Sequence, residues 1–456
     1  MVPQVSADRT SALSPLRHPA FRFLVGGRTV DLIGGSVAPI ALAFAVLDLT
    51  GSVNDLGLVV GARSLFNVVF LLYGGVIADR LPRHLVLVGS GVLSGCSQAV
   101  VAALVLCHSA TIPWLLVLSA MNGTFAAFAL PASAALVPQT VPSELRRAAN
   151  AVNRLAGNSA QIMGASLGGV LVASVGAGWG LAVDAASFLL SALLFQRVRV
   201  PGTEATATAT AGGGVAARPG LISELRVGWR EFVSRTWVWA IVLAFGFINA
   251  ATAGSVQVLG PAVADTTFGR SWWGGVLAAQ TAGMVVGGLV ALRLRLRRLL
   301  MTGVACVGAA VALPLGLALH LAPPLLVVGA FASGACLEQF GIAWEVSLQQ
   351  EIPADRLARV YSYDAVGSFI AIPVAQITVG PLALLLGLRT ALFAAAAIIA
   401  LATAAMLAVR DVRTLRTPTL RPPVPGEQAT SASAFGGTGA EGASGQPTGD
   451  LPVPRT

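Results

Sequence analysis

Runs of about 20 apolar residues recur along this chain, and they leave few folds open to it. Each is long enough to cross about 30 Å of hydrocarbon as a helix rising 1.5 Å per residue. In lipid, only helices and closed barrels satisfy every backbone N–H and C=O. The runs are continuous and lack the period-2 alternation of barrel strands, so they are read as helices. Twelve can be counted, at 20–47, 53–78, 85–107, 112–137, 148–175, 179–196, 237–264, 272–292, 299–319, 324–348, 360–386 and 390–409. The expected fold is an all-α membrane protein with twelve transmembrane helices. Composition agrees: 11% of the 456 residues are charged and 55% are hydrophobic, where soluble domains carry about 25% charge.

The net charge is +9, and every residue behind its positive side is arginine. Their distribution sets an orientation. The connections after even-numbered runs hold Arg80 and Arg83, Arg146 and Arg147, a group from Arg197 to Arg235, Arg293, Arg295, Arg297 and Arg298, then Arg356 and Arg359. The C-terminal tail adds Arg410, Arg413 and Arg416, whereas the opposite connections hold only Arg270 and Arg389. The positive-inside rule then places both termini in the cytoplasm, in a multi-pass plasma-membrane protein. Arginines spread over short loops also argue against a nucleic-acid partner; the lipid bilayer is the expected one. The four cysteines, Cys96, Cys107, Cys306 and Cys336, fall inside apolar runs as packing residues. No metal site is expected.

The second half repeats the first at a spacing near 212 residues. Gly74-Gly75-Val76-Ile77-Ala78 matches Gly287-Gly288-Leu289-Val290-Ala291, Arg80 falls on Arg293, His108 on His320, Phe128 on Phe340, and Arg147 on Arg359. The repeat divides the chain into a cytoplasmic N-terminus (1–19), a six-helix bundle (20–197), a cytoplasmic linker with an amphipathic helix (198–235), a second six-helix bundle (236–409) and a disordered cytoplasmic tail (410–456). Two pseudo-symmetric bundles of this kind are a transporter architecture, with substrate bound between them near the midplane.

Between the second and third runs lies Gly74-Gly75-Val76-Ile77-Ala78-Asp79-Arg80-Leu81-Pro82-Arg83-His84. It resembles the G-x-x-x-D-R-x-x-R loop of the major facilitator superfamily, here Gly75, Asp79, Arg80 and Arg83. Residues Trp344–Pro353 and Arg359–Asp364 look like the branch of that superfamily containing macrolide-efflux and enterobactin-exporter proteins. Gly164-Ala165-Ser166-Leu167-Gly168-Gly169 is similar to the antiporter motif G-P-x-x-G-G, with Ala165 in place of its proline. Gly164, Gly168 and Gly169 also suit close helix packing. The resemblance implies a monomeric secondary transporter that works by alternating access, needs no cofactor and draws on the proton gradient. The implied cargo is a small amphiphilic compound, drug-like, macrolide-like or siderophore-like, and the implied direction is export. Uptake or facilitated transport of a small metabolite, or a non-transporting receptor, are the alternatives. In the family the loop Asp latches the inner gate against the start of the eleventh helix. Here Asp79 is expected to dock on the helix end near Arg359, where the helix dipole favours a carboxylate.

Charges inside the runs single out further candidates, because a charge at the bilayer centre costs about 2.5–3.5 kcal/mol or more. Arg28 and Asp31 share a face of the first helix; Arg63 and Asn67 lie on the second. Asp31 sits about 16 Å from one end of its run and Arg63 about 15 Å from the other, so they can meet near the midplane. These four are the candidate coupling and cavity residues, with Asp31 the protonatable one; a static Asp–Arg pair that only fixes packing is the alternative. A second group, Arg154, Glu338, Glu345 and Asp364, lies in the inner half and suits a gate with Gly75, Asp79, Arg80, Arg83 and Arg359. Asp184 reads as a hydrogen-bonded structural residue near an outer helix end, and Trp272-Trp273 as an interfacial anchor. Some of Asn153, Asn158, Gln161, Asn249, Gln257, Gln280 and Gln376 are expected to line the cavity. An ATP-driven pump would need G-x-x-x-x-G-K-[ST], and the chain has no lysine. Nor does it carry HExxH or another catalytic constellation, so an enzyme is not expected.

Overall fold

The structure, a computed structural model, describes residues 14–80, 83–198, 229–291, 293 and 298–415. At 72–80, 83, 130–132, 134, 135, 138, 143, 147, 354, 355, 358 and 359 it describes the backbone alone. The expected linker helix is therefore described only over 229–234, and the tail only to 415.

Twelve long helices follow in chain order: α1 (Pro19–Thr50), α2 (Val53–Arg80), α3 (Arg83–Leu106), α4 (Ile112–Leu136), α5 (Arg146–Val175) and α6 (Ala177–Gln196). In the second half, α7 runs through Thr236–Thr252, a π-helical stretch Ala253–Leu259 and Gly260–Thr266; α8 is Arg270–Ala291. Helix α9 joins Leu299–Val307, a 3₁₀ stretch Gly308–Val311 and Ala312–Ala318. The last three are α10 (Pro323–Glu351), α11 (Ala354–Phe369 and Ala371–Leu386) and α12 (Leu388–Ala408). Among the described residues there is no strand. Eleven of the twelve are long and apolar enough to cross a membrane. The twelfth, α5, carries Arg146, Arg147, Asn150, Asn153, Arg154, Asn158 and Gln161. It packs against α1, α6 and α8, which accounts for a helix this polar in a membrane fold.

Prolines explain the irregular helices. A helical proline lacks the N–H that bonds four residues back, and its ring crowds that carbonyl. Pro261 disturbs the Gln257 carbonyl, within the π stretch; Pro314 disturbs Ala310, within the 3₁₀ stretch; Pro373 disturbs Phe369, where α11 is interrupted. The start of α2 is capped by Ser52, whose Oγ accepts the Asp55 N–H at 3.2 Å.

The repeat has a structural counterpart. Among the described residues only His108 and His320, apart from glycines, have positive φ, at 54° and 53°. Each closes its helix in the same way: Ser109 N–H bonds Leu104 O at 2.9 Å, and Leu321 N–H bonds Gly316 O at 3.0 Å.

Burial is distributed asymmetrically. One apolar core spans both halves at the end away from the chain termini, from Ile40–Leu47, Leu56 and Leu181 to Leu259, Trp273 and Leu317. At the terminal end there are two separate cores. One belongs to the first half, around Phe21, Leu24, Leu87 and Phe195; the other to the second, around Trp237, Ile241, Phe340 and Leu348. The helix pairs that chiefly join the halves are α5 with α8 and α2 with the later part of α11, with lesser contacts of α1 and α2 on α7; among the described residues α4 makes no comparable contact with α10 or α11. Among the described residues the halves are thus sealed at the opposite end, with no comparable helix contact between them at the terminal end.

Candidate functional site

The seal is built on small residues. A Cβ added at Gly274 of α8 would stand 2.6 Å from the Gly169 Cα of α5, so only glycine lets these backbones meet. A Cβ at Gly380 would likewise stand 2.6 Å from the Asn54 Cα of α2. The Gly164–Gly169 motif is shared between two interfaces: Gly164 and Gly168 face Ile33, Ser36 and Val37 of α1, whereas Gly169 faces the other half. Beside this contact, Arg270 of α8 clasps the first half. Its Nη1 donates to Asp48 Oδ2 at 2.9 Å, its Nη2 to Asp48 Oδ1, and its Nε to Asp265 Oδ1 at 2.8 Å. The guanidinium also lies 4.7 Å from the centroid of the Phe44 ring. The sequence reading gave Arg270 only a topological meaning and did not single out Asp48.

Just inside the seal lies a cavity of about 320 Å³ between α1, α2, α7 and α8. Pro39, Ile40, Val60, Val256 and Leu277 make it apolar; Arg63, Ser64, Asn67 and Gln257 make one part polar. Trp273, read as an interfacial anchor beside Trp272, instead forms a wall. It is 1% exposed where Trp272 is 44% exposed, because successive helical residues point about 100° apart. Gln257 reaches the cavity from the π stretch of α7 and accepts a hydrogen bond from Gln376 Nε2 of α11 at 2.7 Å. Asn67 Nδ2 donates to the Gly123 carbonyl of α4 at 3.1 Å.

Of the four residues assigned to coupling and cavity, Arg63 and Asn67 line the cavity. Asp31 and Arg28 do not; they lie on α1 about 13 Å and more toward the terminal end from Ile40. Arg28 Nη1 donates to Ser133 Oγ of α4 at 3.2 Å. Arg28 and Arg63 both act on Asp31 electrostatically, without a direct ion pair. Asp184 joins this group, which sequence reasoning missed. It is 1% exposed, its Oδ1 has no hydrogen-bond partner, and it acts on both Asp31 and Arg63. Gly34 makes room for it: a Cβ there would stand 3.0 Å from Asp184 Oδ1. Its position seven residues into α6 was the available signal, since that is about 10 Å of depth rather than a helix end.

The residues assigned to the gate fall into two sets. Arg154 of α5 and Glu338 of α10 interact through space without an ion pair. Glu345 and Asp364 are held within the second half: Glu345 Oε1 accepts from Gln349 Nε2 at 2.9 Å and Tyr361 Oη at 3.3 Å, and Asp364 accepts from Trp344 Nε1 at 2.9 Å and Ser368 Oγ at 3.0 Å. The backbone of Gly75, Asp79 and Arg80 closes α2 and Arg83 opens α3. Their side chains, and that of Arg359 in α11, lie outside the described residues, as do Leu81 and Pro82. Beside the gate, helix 229–234 docks on the second half. Glu231 accepts from Arg356 at 2.7 Å and Arg235 at 3.0 Å, and Trp229 and Phe232 pack on the Tyr363 ring. The Arg356 hydrogen bond, with help from Arg235, holds the Glu231 carboxyl below its usual range.

Comparison with known proteins agrees with this arrangement. The chain is 26% identical over 360 residues to the enterobactin exporter EntS of Escherichia coli O1:K1 / APEC, covering 75% of this chain and 80% of that protein. It superposes on a bacterial homolog of the human lysosomal transporter Spinster with a TM-score of 0.66 at 17% identity, covering 86% and 96% of the two chains. For a bacterial homologue of the iron transporter ferroportin the TM-score is 0.64 at 15% identity, with 85% and 97% covered. A profile of the Major Facilitator Superfamily matches residues 24–315. The protein is a multi-pass membrane transporter, and the chain belongs to the Major Facilitator Superfamily.

Proposed function

We propose that the protein exports a small amphiphilic compound by alternating access, coupled to proton entry, from the cytoplasm across the plasma membrane. The observation that carries this reading is the cavity between the halves, sealed at the end away from the termini by Gly169–Gly274 and Arg270–Asp48. The arginine-rich connections put the terminal end in the cytoplasm, so the described state faces inward and loads cargo from the cell. Similarity to an enterobactin exporter supports export. Asp31 carries the proton, with Asp184 and Arg63 setting its electrostatic surroundings. On closure toward the cytoplasm, Arg154 approaches Glu338, and Asp79 docks on the α11 end near Arg359.

The test is accumulation of a panel of drugs and siderophores in expressing cells, with and without a protonophore. The reading expects at least one compound to accumulate less in expressing cells, and the protonophore to abolish the difference. Asp31→Asn should remove the protonophore-sensitive part. Equal accumulation of every compound with and without the protein rejects export; proton-dependent efflux by Asp31→Asn removes that residue from coupling.

A further inference from the structure

The polar part of the cavity is unbalanced between donors and acceptors. Arg63 brings five N–H donors and no acceptor, and among the described residues nothing hydrogen-bonds or ion-pairs with it. Asp31 and Asp184 act on it only through space. Gln257 has its Oε1 engaged by Gln376, so it offers the cavity its amide N–H groups. No lining residue is acidic. A guanidinium without a hydrogen-bond partner among the described residues, on the wall of a largely apolar cavity, is a fork for a planar oxyanion. The apolar surroundings strengthen that interaction relative to water. The rest of the wall, Trp273 with Ile40 and Val256, offers an indole and aliphatic surface to an apolar body.

Resting on the transporter reading above, we propose that the cargo is an acidic amphiphile. It carries a carboxylate or comparable planar oxyanion, held by Arg63 and the Gln257 amide, on an apolar and preferably aromatic body packed on Trp273. An exported anion also moves with the inside-negative membrane potential, which adds to any drive from protons.

The experiment measures binding to the purified full-length protein in zwitterionic nanodiscs. The probes are 2-naphthoate, 2-naphthamide and 2-naphthylmethylamine, one ring system bearing an anionic, a neutral and a cationic group at neutral pH. A charge-assisted bidentate contact should make naphthoate bind about tenfold tighter than either analogue. Arg63→Gln should erase that preference, lowering naphthoate affinity by more than naphthamide affinity. Should Arg63→Gln not fold, Arg63→Lys keeps the charge without the fork and should still lose several-fold of naphthoate affinity alone; Gln257→Leu should lose a smaller factor. Equal or tighter binding of the amide or amine, no saturable naphthoate binding by the wild type, or an undiminished preference in the Arg63 variants overturns the proposal. Failure of the transporter reading is separately visible. Wild-type proteoliposomes that exchange no compound of the efflux panel would remove transport and leave the binding preference standing. Arg63-independent transport of a neutral or cationic compound would remove the acidic cargo and leave transport standing.

Discussion

Arg270 ties the two halves together by charge, so its removal should shift the balance between inward- and outward-facing states. Replacement by glutamine deletes the bidentate contact with Asp48 and the cation–π contact with Phe44. The pair is partly exposed, with Arg270 at 22% and Asp48 at 48%, so a solvent-screened value applies: about 0.2–1 kcal/mol for an ordinary exposed pair. Bidentate geometry puts this one near the top of that range, and the ring adds about 0.5 kcal/mol. A loss of about 1.5 kcal/mol is roughly a tenfold gain in the population open at that end. Spin labels at Ser109 and Leu321, exposed at corresponding turns of the two halves, would report it in a background lacking the four native cysteines. The ratio of long to short distances should rise about tenfold in Arg270→Gln. Asp48→Asn should produce most of the same shift, and the double variant little more, because both remove one interaction. High salt should narrow the gap between wild type and variants. An unchanged distance distribution in Arg270→Gln, or full additivity of the two substitutions, would refute the clasp.

Gly274→Val should force α5 and α8 apart, since an added Cβ would stand 2.6 Å from the Gly169 Cα; transport should fall strongly, and the same spin labels should report lost closure. Glu231 predicts an acid sensitivity. Its folded-state carboxyl ionises below its unfolded range, so the contribution to docking of helix 229–234 is present above the unfolded value of about 4.3 and is lost as pH falls through the lower folded value. With Arg356 at 45% exposed the contribution is at most about 1 kcal/mol. Hydrogen exchange of this helix should accelerate on acidification in the wild type, and Glu231→Gln should flatten that dependence. Asp79→Asn should slow transport while leaving folded yield intact; wild-type rates in that variant would dismiss the latch.

The twelve helices, their all-α class and the internal repeat were legible in the sequence because each is written in local terms. A helix in lipid must satisfy its own backbone, so a continuous apolar run declares it without reference to any neighbour. Capping is similarly local: Ser52 and Asp55 are three residues apart, and His108 and His320 close their helices through bonds within six residues. The least apolar helix, α5, was still visible from its length and its later apolar half. The candidate residues Arg63 and Asn67 could be placed by depth alone, since rise per residue converts position into height.

Height, however, says nothing about which way a side chain faces or which helix stands opposite it. Asp31 and Arg63 act on each other electrostatically, yet only Arg63 lines the cavity. Trp272 and Trp273 are neighbours in sequence, yet one is exposed and the other walls the cavity. The Asp48–Arg270 clasp joins residues 222 positions apart, and the Gly169–Gly274 contact likewise joins one half to the other. Asp48, Arg270 and Gly274 carry no local signature, and the motif that holds Gly169 does not name its partner, because these contacts exist only once the two bundles meet. Asp184 read as peripheral because its surroundings, Gly34 on α1 and the charges of Asp31 and Arg63, come from other helices. The sequence by itself determined the helices and the repeat; the packing of one half against the other decided the cavity, the seal and the company each buried charge keeps.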